Sequence, residues 1–231
     1  MKSLLQNFLK SSLTCLVLVF NVCAQPSSAQ VQSLIPSLYS LAVEARQANF
    51  SHPSLAAYEI SWKVDQAIKE LSAFVKGPQD APRGIETLDK LTKELGPLKR
   101  IAHYDLHRTL AWLSADLGKT DEQAYHRAFG VALLMAFANT GDGKSPDTAY
   151  HIMSVREEYV WFEANRSTIQ PISRVAKEIN GTTHDVWTIR NPQNQQEGLL
   201  YFSAGKAMDS FSRVLLERAD KKVVLPTTPT Q

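Results

Sequence analysis

The chain is 231 residues long and 44% hydrophobic, and its 25 Lys+Arg against 23 Asp+Glu give a formal charge of +2 at neutral pH. That length and apolar content support a buried core, in one domain or two small ones. The near-balance of charge excludes the basic footprint of a nucleic-acid binder or of a protein held on an anionic membrane.

Residues 1–24 read as an export signal. Lys2 and Lys10 precede an apolar run over residues 11–20, and Val22-Cys23-Ala24 offers the small-residue pattern at which a leader is cut. The run falls short of the roughly 20 apolar residues that span a membrane. Cleavage after Ala24 would remove Cys15 and Cys23, the only two cysteines, and with them any disulfide, thiol nucleophile or thiolate metal site. It would also leave 23 charges of each sign, and a soluble, exported chain of the periplasm or the cell exterior with no membrane anchor.

Residues 25–140 carry helical periodicity. A first helix is expected over residues 33–49, after Pro36, and a second from the start signal Ser51-His52-Pro53-Ser54 to Lys76, with Ala57, Trp62, Val64, Ile68, Leu71 and Val75 as its inward stripe. Ile85, Leu88, Leu91 and Leu95 mark a shorter third helix before Gly96-Pro97. Ile101, Leu106, Leu110, Leu113 and Leu117 mark a fourth, which Gly118 stops in the left-handed conformation. Thr120-Asp121-Glu122-Gln123 has the form of a capping box, and Tyr125, Phe129, Ala132 and Met135 continue a fifth helix. The turn around Gly118 looks like that of a tetratricopeptide unit.

The Gly/Asp/Pro cluster over residues 139–147 then changes the architecture, and residues 141–219 read as a small α+β region. Residues 148–154 suggest a strand, and residues 155–164 a short helix in which Val155, Tyr159 and Phe162 pack inward beside Trp161. Asn180-Gly181 is the strongest two-residue hairpin signal, since both positions of that turn need positive φ. It is flanked by residues 172–179, read as a strand in preference to a helix, and by residues 184–189. Residues 198–202 form a third arm, residues 206–217 a last amphipathic helix, and residues 220–231 a disordered tail.

Ala102-His103, Tyr125-His126, Gly141-Asp142-Gly143-Lys144-Ser145-Pro146, Thr148-Ala149-Tyr150, Glu157-Glu158-Tyr159, His184-Asp185-Val186 and Tyr201-Phe202 together resemble a family of exported bacterial proteins known as domain of unknown function 4919. The resemblance implies an exported protein in which a helical region leads into a small α+β part. It implies no activity.

Chemistry therefore has to be sought in the residues. Gly141-Asp142-Gly143-Lys144-Ser145 is close to a phosphate-binding loop, but such a loop follows a strand and opens a helix, whereas this one follows a helix and meets Pro146. A helix-to-strand turn is expected instead. His103 and His107, four residues apart on one helix face, and His126 at the start of the next helix could together hold a divalent transition metal such as zinc. The alternative is ordinary packing with ring nitrogens bonded to nearby oxygens. Glu157-Glu158 makes no dyad by itself, because adjacent helical residues point about 100° apart. Trp161, Tyr159 and Trp187 would form a sugar platform only if they shared an exposed surface.

The sequence thus points to an α+β protein: antiparallel helices, loosely tetratricopeptide-like, followed by a small antiparallel sheet with flanking helices. The leading function is a non-catalytic binding or adaptor protein with no cofactor and no catalytic residue, which engages another exported protein or a peptide. The alternative is a metal-binding protein or metal-dependent hydrolase using His103, His107 and His126.

Overall fold

A computed structural model describes residues 26–223, with side chains described to residue 219. The export signal, both cysteines and residues 224–231 of the expected tail lie outside the described residues. Five helices come first: α1 (Ser28–Phe50), α2 (Ala57–Phe74), α3 (Ala81–Leu95), α4 (Tyr104–Asp116) and α5 (Thr120–Ala138). Then follow β1 (Tyr150–His151), α6 (Val155–Asn165), β2 (Gln170–Ile179), β3 (Thr182–Arg190), β4 (Glu197–Ser203) and α7 (Gly205–Val223). The α+β class is as expected, and among the described residues no helix is long and apolar enough to cross a membrane.

The helical part is built around α5, which is buried on most of its circumference from Gln123 to Phe137. A helix apolar all round needs neighbours on several sides. Here α1 packs on it through Val31, Ile35, Leu38, Ala42 and Ala45, meeting Ala124, Ala128 and Ala132, whose small side chains let the helices approach closely. A second apolar cluster joins α2, α3 and α4 around Val64, Leu71, Leu88, Leu106 and Leu113. Gly118 ends the α4 turn at φ 68°, as its position required.

Several local expectations gave way to tertiary packing. The first helix begins at Ser28, not after Pro36: Ser27 caps it by accepting the Gln30 amide, and Val31 and Ile35 are buried against α5, so the helix runs through the proline. Trp62, placed by periodicity on the inward stripe of α2, is 59% exposed, because Ser61 and Val64 face the core instead. The capping box at Thr120 does not form. The cap position is Lys119 and no side chain bonds there, so Thr120 is already inside the helix. A single hairpin leaves the tetratricopeptide likeness unconfirmed.

The sheet has the order β1-β4-β3-β2. It is mixed, not purely antiparallel: β2–β3 and β3–β4 pair antiparallel, while β1 lies parallel to β4 and is only two residues long instead of the expected seven. A parallel neighbour needs a long crossover, here the segment from α6 to β3. The 172–179 segment is a strand, and Asn180 and Gly181 turn it into β3 at φ 52° and 73°. One sheet face, with Trp187, Leu200 and Phe202, covers an aromatic core shared with Phe137, Tyr150, Trp161 and Phe162. On α6, Val155 and Tyr159 point outward, against expectation, whereas Trp161 and Phe162 are buried. Trp161 and Trp187 are thus core residues and form no exposed platform with Tyr159. The last helix runs past Glu217 to Val223, into the first residues of the expected tail.

The Gly141–Ser145 loop is the turn that joins the two parts. The amides of Asp142 and Gly143 both donate to the Thr148 carbonyl, at 2.9 and 2.8 Å, and the Lys144 amide donates to Asp142 Oδ1 at 3.0 Å. These three amides are consumed by the turn itself and are not turned toward a phosphate. Gly143 sits at φ 67°, where a Cβ would also strike the Tyr150 ring at 2.6 Å.

Candidate functional site

Strand register assembles a row of polar side chains that no sequence spacing reveals. Parallel pairing sets His151 beside Ser203, and antiparallel pairing sets Ser203 beside His184 and His184 beside Lys177. Paired residues share a face, so the row lies on the side of the sheet opposite Trp187 and Phe202. The turn at Pro146–Thr148, the Asn180-Gly181 hairpin and the first turn of α7 rise around it. They enclose an open cleft of about 290 Å³ lined by Asp147, His151, His184, Ser203, Lys206 and Asp209, among others.

The side chains of this row have distinct states. His184 is buried, with Nδ1 2.9 Å from the Thr182 carbonyl and Nε2 3.3 Å from the Pro146 carbonyl. Carbonyls only accept, so the two contacts are both hydrogen bonds only for an imidazolium, and neither nitrogen is turned toward Ser203. Ser203 Oγ accepts the Gly205 amide at 3.3 Å. Burial lowers the pKa of His151, with help from the charges of Lys206, Arg46 and His184. Its Nδ1 is buried without a hydrogen-bond partner among the described residues.

The three histidines of the expected metal centre are not brought together as a set. His103 caps α4, its Nδ1 accepting the Leu106 amide at 3.3 Å, while its Nε2 lies 3.3 Å from Asp65 Oδ1. His107 and His126 do meet across the α4–α5 hairpin, Nδ1 to Nδ1 at 2.9 Å, and His107 Nε2 lies 3.0 Å from the Ile101 carbonyl. Since that carbonyl can only accept, Nε2 of a neutral His107 carries the proton and its Nδ1 accepts from His126. Burial, with the His126 charge, pushes the His107 pKa down to about 3; burial and Lys99 push His126 down to about 4. Among the described residues, no group of three or more His, Cys, Asp or Glu side chains is arranged to hold a metal ion.

A second ionisable cluster escaped the sequence reading. Glu158 is 0% exposed, and its Oε2 accepts the Trp187 indole N–H at 2.5 Å. Asp185, which Arg174 Nη2 holds at 2.7 Å, is close enough to act on the Glu158 carboxyl group, and Glu158 Oε1 is buried without a hydrogen-bond partner among the described residues. Burial, followed by the neighbouring Asp185, raises the Glu158 pKa to about 8. Adjacent Glu157 points elsewhere, to Arg46 and the Met153 amide, as the 100° rule requires. The sequence offered the glutamate but no sign of its partner on β3.

No curated protein and no solved structure matches the chain. One family model, described as Domain of unknown function (DUF4919), matches residues 105–213, from the first turn of α4 to the middle of α7. The matched stretch holds the cleft, the Glu158–Asp185 pair and the His107–His126 pair, and over it the chain is similar to the DUF4919 family.

Proposed function

We propose that this is an exported, non-catalytic binding protein of the bacterial periplasm or cell surface, whose ligand occupies the cleft between the His151–Ser203–His184 row and the start of α7. The carrying observation is that cleft: about 290 Å³ of open volume into which three strands, a turn and a helix start direct polar side chains. A binding role is favoured over catalysis because, among the described residues, no basic side chain is hydrogen-bonded to Ser203, whose oxygen takes the Gly205 amide, while both His184 nitrogens are at carbonyl oxygens. It is favoured over the metal centre because His103 is engaged with Asp65 and the α4 start. It is favoured over strand addition at β2, since that outer strand carries Pro171, a bulge beside it and Lys177, which discourage edge pairing.

Two measurements test the reading. Expressed with its own leader in a bacterial host, the protein is expected outside the cytoplasm with a mass that starts at Gln25; a full-length chain retained in the cytoplasm would refute export. In a thermal-shift screen of small metabolites and short peptides, at least one compound is expected to stabilise the unaltered chain and not Lys206→Trp. That substitution, at an exposed rim position, plugs the opening. Stabilisation that is equal in both proteins for every active compound would place the ligand elsewhere.

A further inference from the structure

Several donors that line this cleft have no acceptor among the described residues. Ser203 is 5% exposed; its oxygen accepts from Gly205, but its own O–H has no acceptor among the described residues. His151 in its neutral form has one ring proton. Its Nδ1 is buried with no hydrogen-bond partner among the described residues, which leaves the proton to Nε2 of a ring that lines the cleft. Helix α7 starts at Gly205, and the amides of Lys206 and Ala207 have no hydrogen-bond partner among the described residues, as expected for a first turn. The Lys206 ammonium forms no ion pair among the described residues.

The charges point the same way. The groups whose field acts on His151 are Lys206, Arg46 and His184, and the positive end of α7 adds to the charge of Lys206. The acids of the cleft, Asp147 and Asp209, are on its exposed rim and are not among the charges felt by His151. A group with several acceptor lone pairs and negative charge is what such a donor set lacks.

On the reading above that the cleft is a ligand site, we infer that it binds the oxyanion of a small molecule, a carboxylate or a phosphate, through Ser203 Oγ–H, His151 Nε2–H, the Lys206 ammonium and the first amides of α7. The test is an NMR titration of the processed chain, residues 25–231, with inorganic phosphate and, separately, with acetate at constant ionic strength and pH 7. Saturable shifts are expected at the Lys206 and Ala207 amides. Saturation by one anion only identifies the source as phosphate or carboxylate. Lys206→Gln should weaken the binding by about tenfold, the effect of losing one charge-assisted contact, Ser203→Ala should weaken it measurably, and Lys93→Gln on remote α3 should leave it unchanged. Shifts that rise linearly with both anions, or affinity unchanged in both Lys206→Gln and Ser203→Ala, would overturn the inference. An uncharged compound that Lys206→Trp excludes, with neither anion binding, would overturn the oxyanion and leave the binding reading standing.

Discussion

Glu158→Gln should make the protein more stable at pH 9, by on the order of 3 kcal/mol, while leaving its stability at pH 5 nearly unchanged. In the folded protein Glu158 keeps its proton to about pH 8, chiefly because it is fully buried and then because Asp185 lies beside it. In the unfolded chain the same carboxyl ionises near 4.5. Between those values the folded state holds more protons than the unfolded one, so stability falls as pH rises. Above pH 8 two carboxylates share the single guanidinium of Arg174, which lies 2.7 Å from Asp185 but 3.6 Å from Glu158. A glutamine has the same shape and no charge. Its oxygen can accept the Trp187 N–H, and its amide places two donors beside the Asp185 carboxylate where a second negative charge would otherwise stand. Guanidinium chloride unfolding at pH 5, 7 and 9 measures the effect. A parallel decline of both proteins from pH 5 to 9 would show that Glu158 is not the group that titrates.

What could be read from the sequence was local. Asn180-Gly181 marked its hairpin because its backbone demands positive φ, and Gly118 marked its helix end for the same reason. The loop at Gly141–Ser145 was legible as a turn because its neighbours on both sides were wrong for a phosphate loop, and its amides prove to be spent on Thr148. What could not be read depended on partners far along the chain. Pro36 failed to start a helix because residues 31 and 35 find burial on α5, about 100 positions later. Thr120 lost its capping role to the geometry of the α4–α5 turn. The two-residue β1 has no periodicity to detect and exists only because β4 is there to pair with it.

The candidate site shows the same division more sharply. His184-Asp185 was visible as a strand start, but alternation sends the two side chains to opposite faces, one into the cleft row and one toward Glu158. The row itself follows from the register of three strand pairs, and a slip of one residue in any pair would dissolve it. Histidines four apart on a helix were an obvious sequence signal, yet His103 sits at the cap of α4, outside the helix, where the spacing rule no longer places it with His107. The true neighbour of His107 came from across the hairpin.

That neighbour gives the second large expected effect, a loss of stability on mild acidification. His107 is 0% exposed and His126 2%, and both are neutral in the folded protein down to about pH 3 and 4. In the unfolded chain each takes up a proton near 6.5. Below 6.5 the unfolded state therefore binds more protons, and stability falls as pH falls. Because both folded values are under 5, the loss down to pH 5 is set by the unfolded value alone, at about 2 kcal/mol for each histidine. Glu158 acts with the opposite sign over this range, so the experiment belongs in the Glu158→Gln background. There His126→Asn, whose amide can still donate to His107 Nδ1, should lower stability at pH 7 yet remove about 2 kcal/mol of the decline between pH 6.5 and 5. His52 and His151, also shifted down by burial, continue to contribute equally in both proteins. The carboxylates whose folded pKa is lowered, such as Asp105 held by Arg156, lose their contribution only below about 4 and do not enter the window. A decline of the same steepness with and without His126 would show that the pair is protonated in the folded state and that its 2.9 Å contact is not the neutral hydrogen bond that the Ile101 carbonyl dictates.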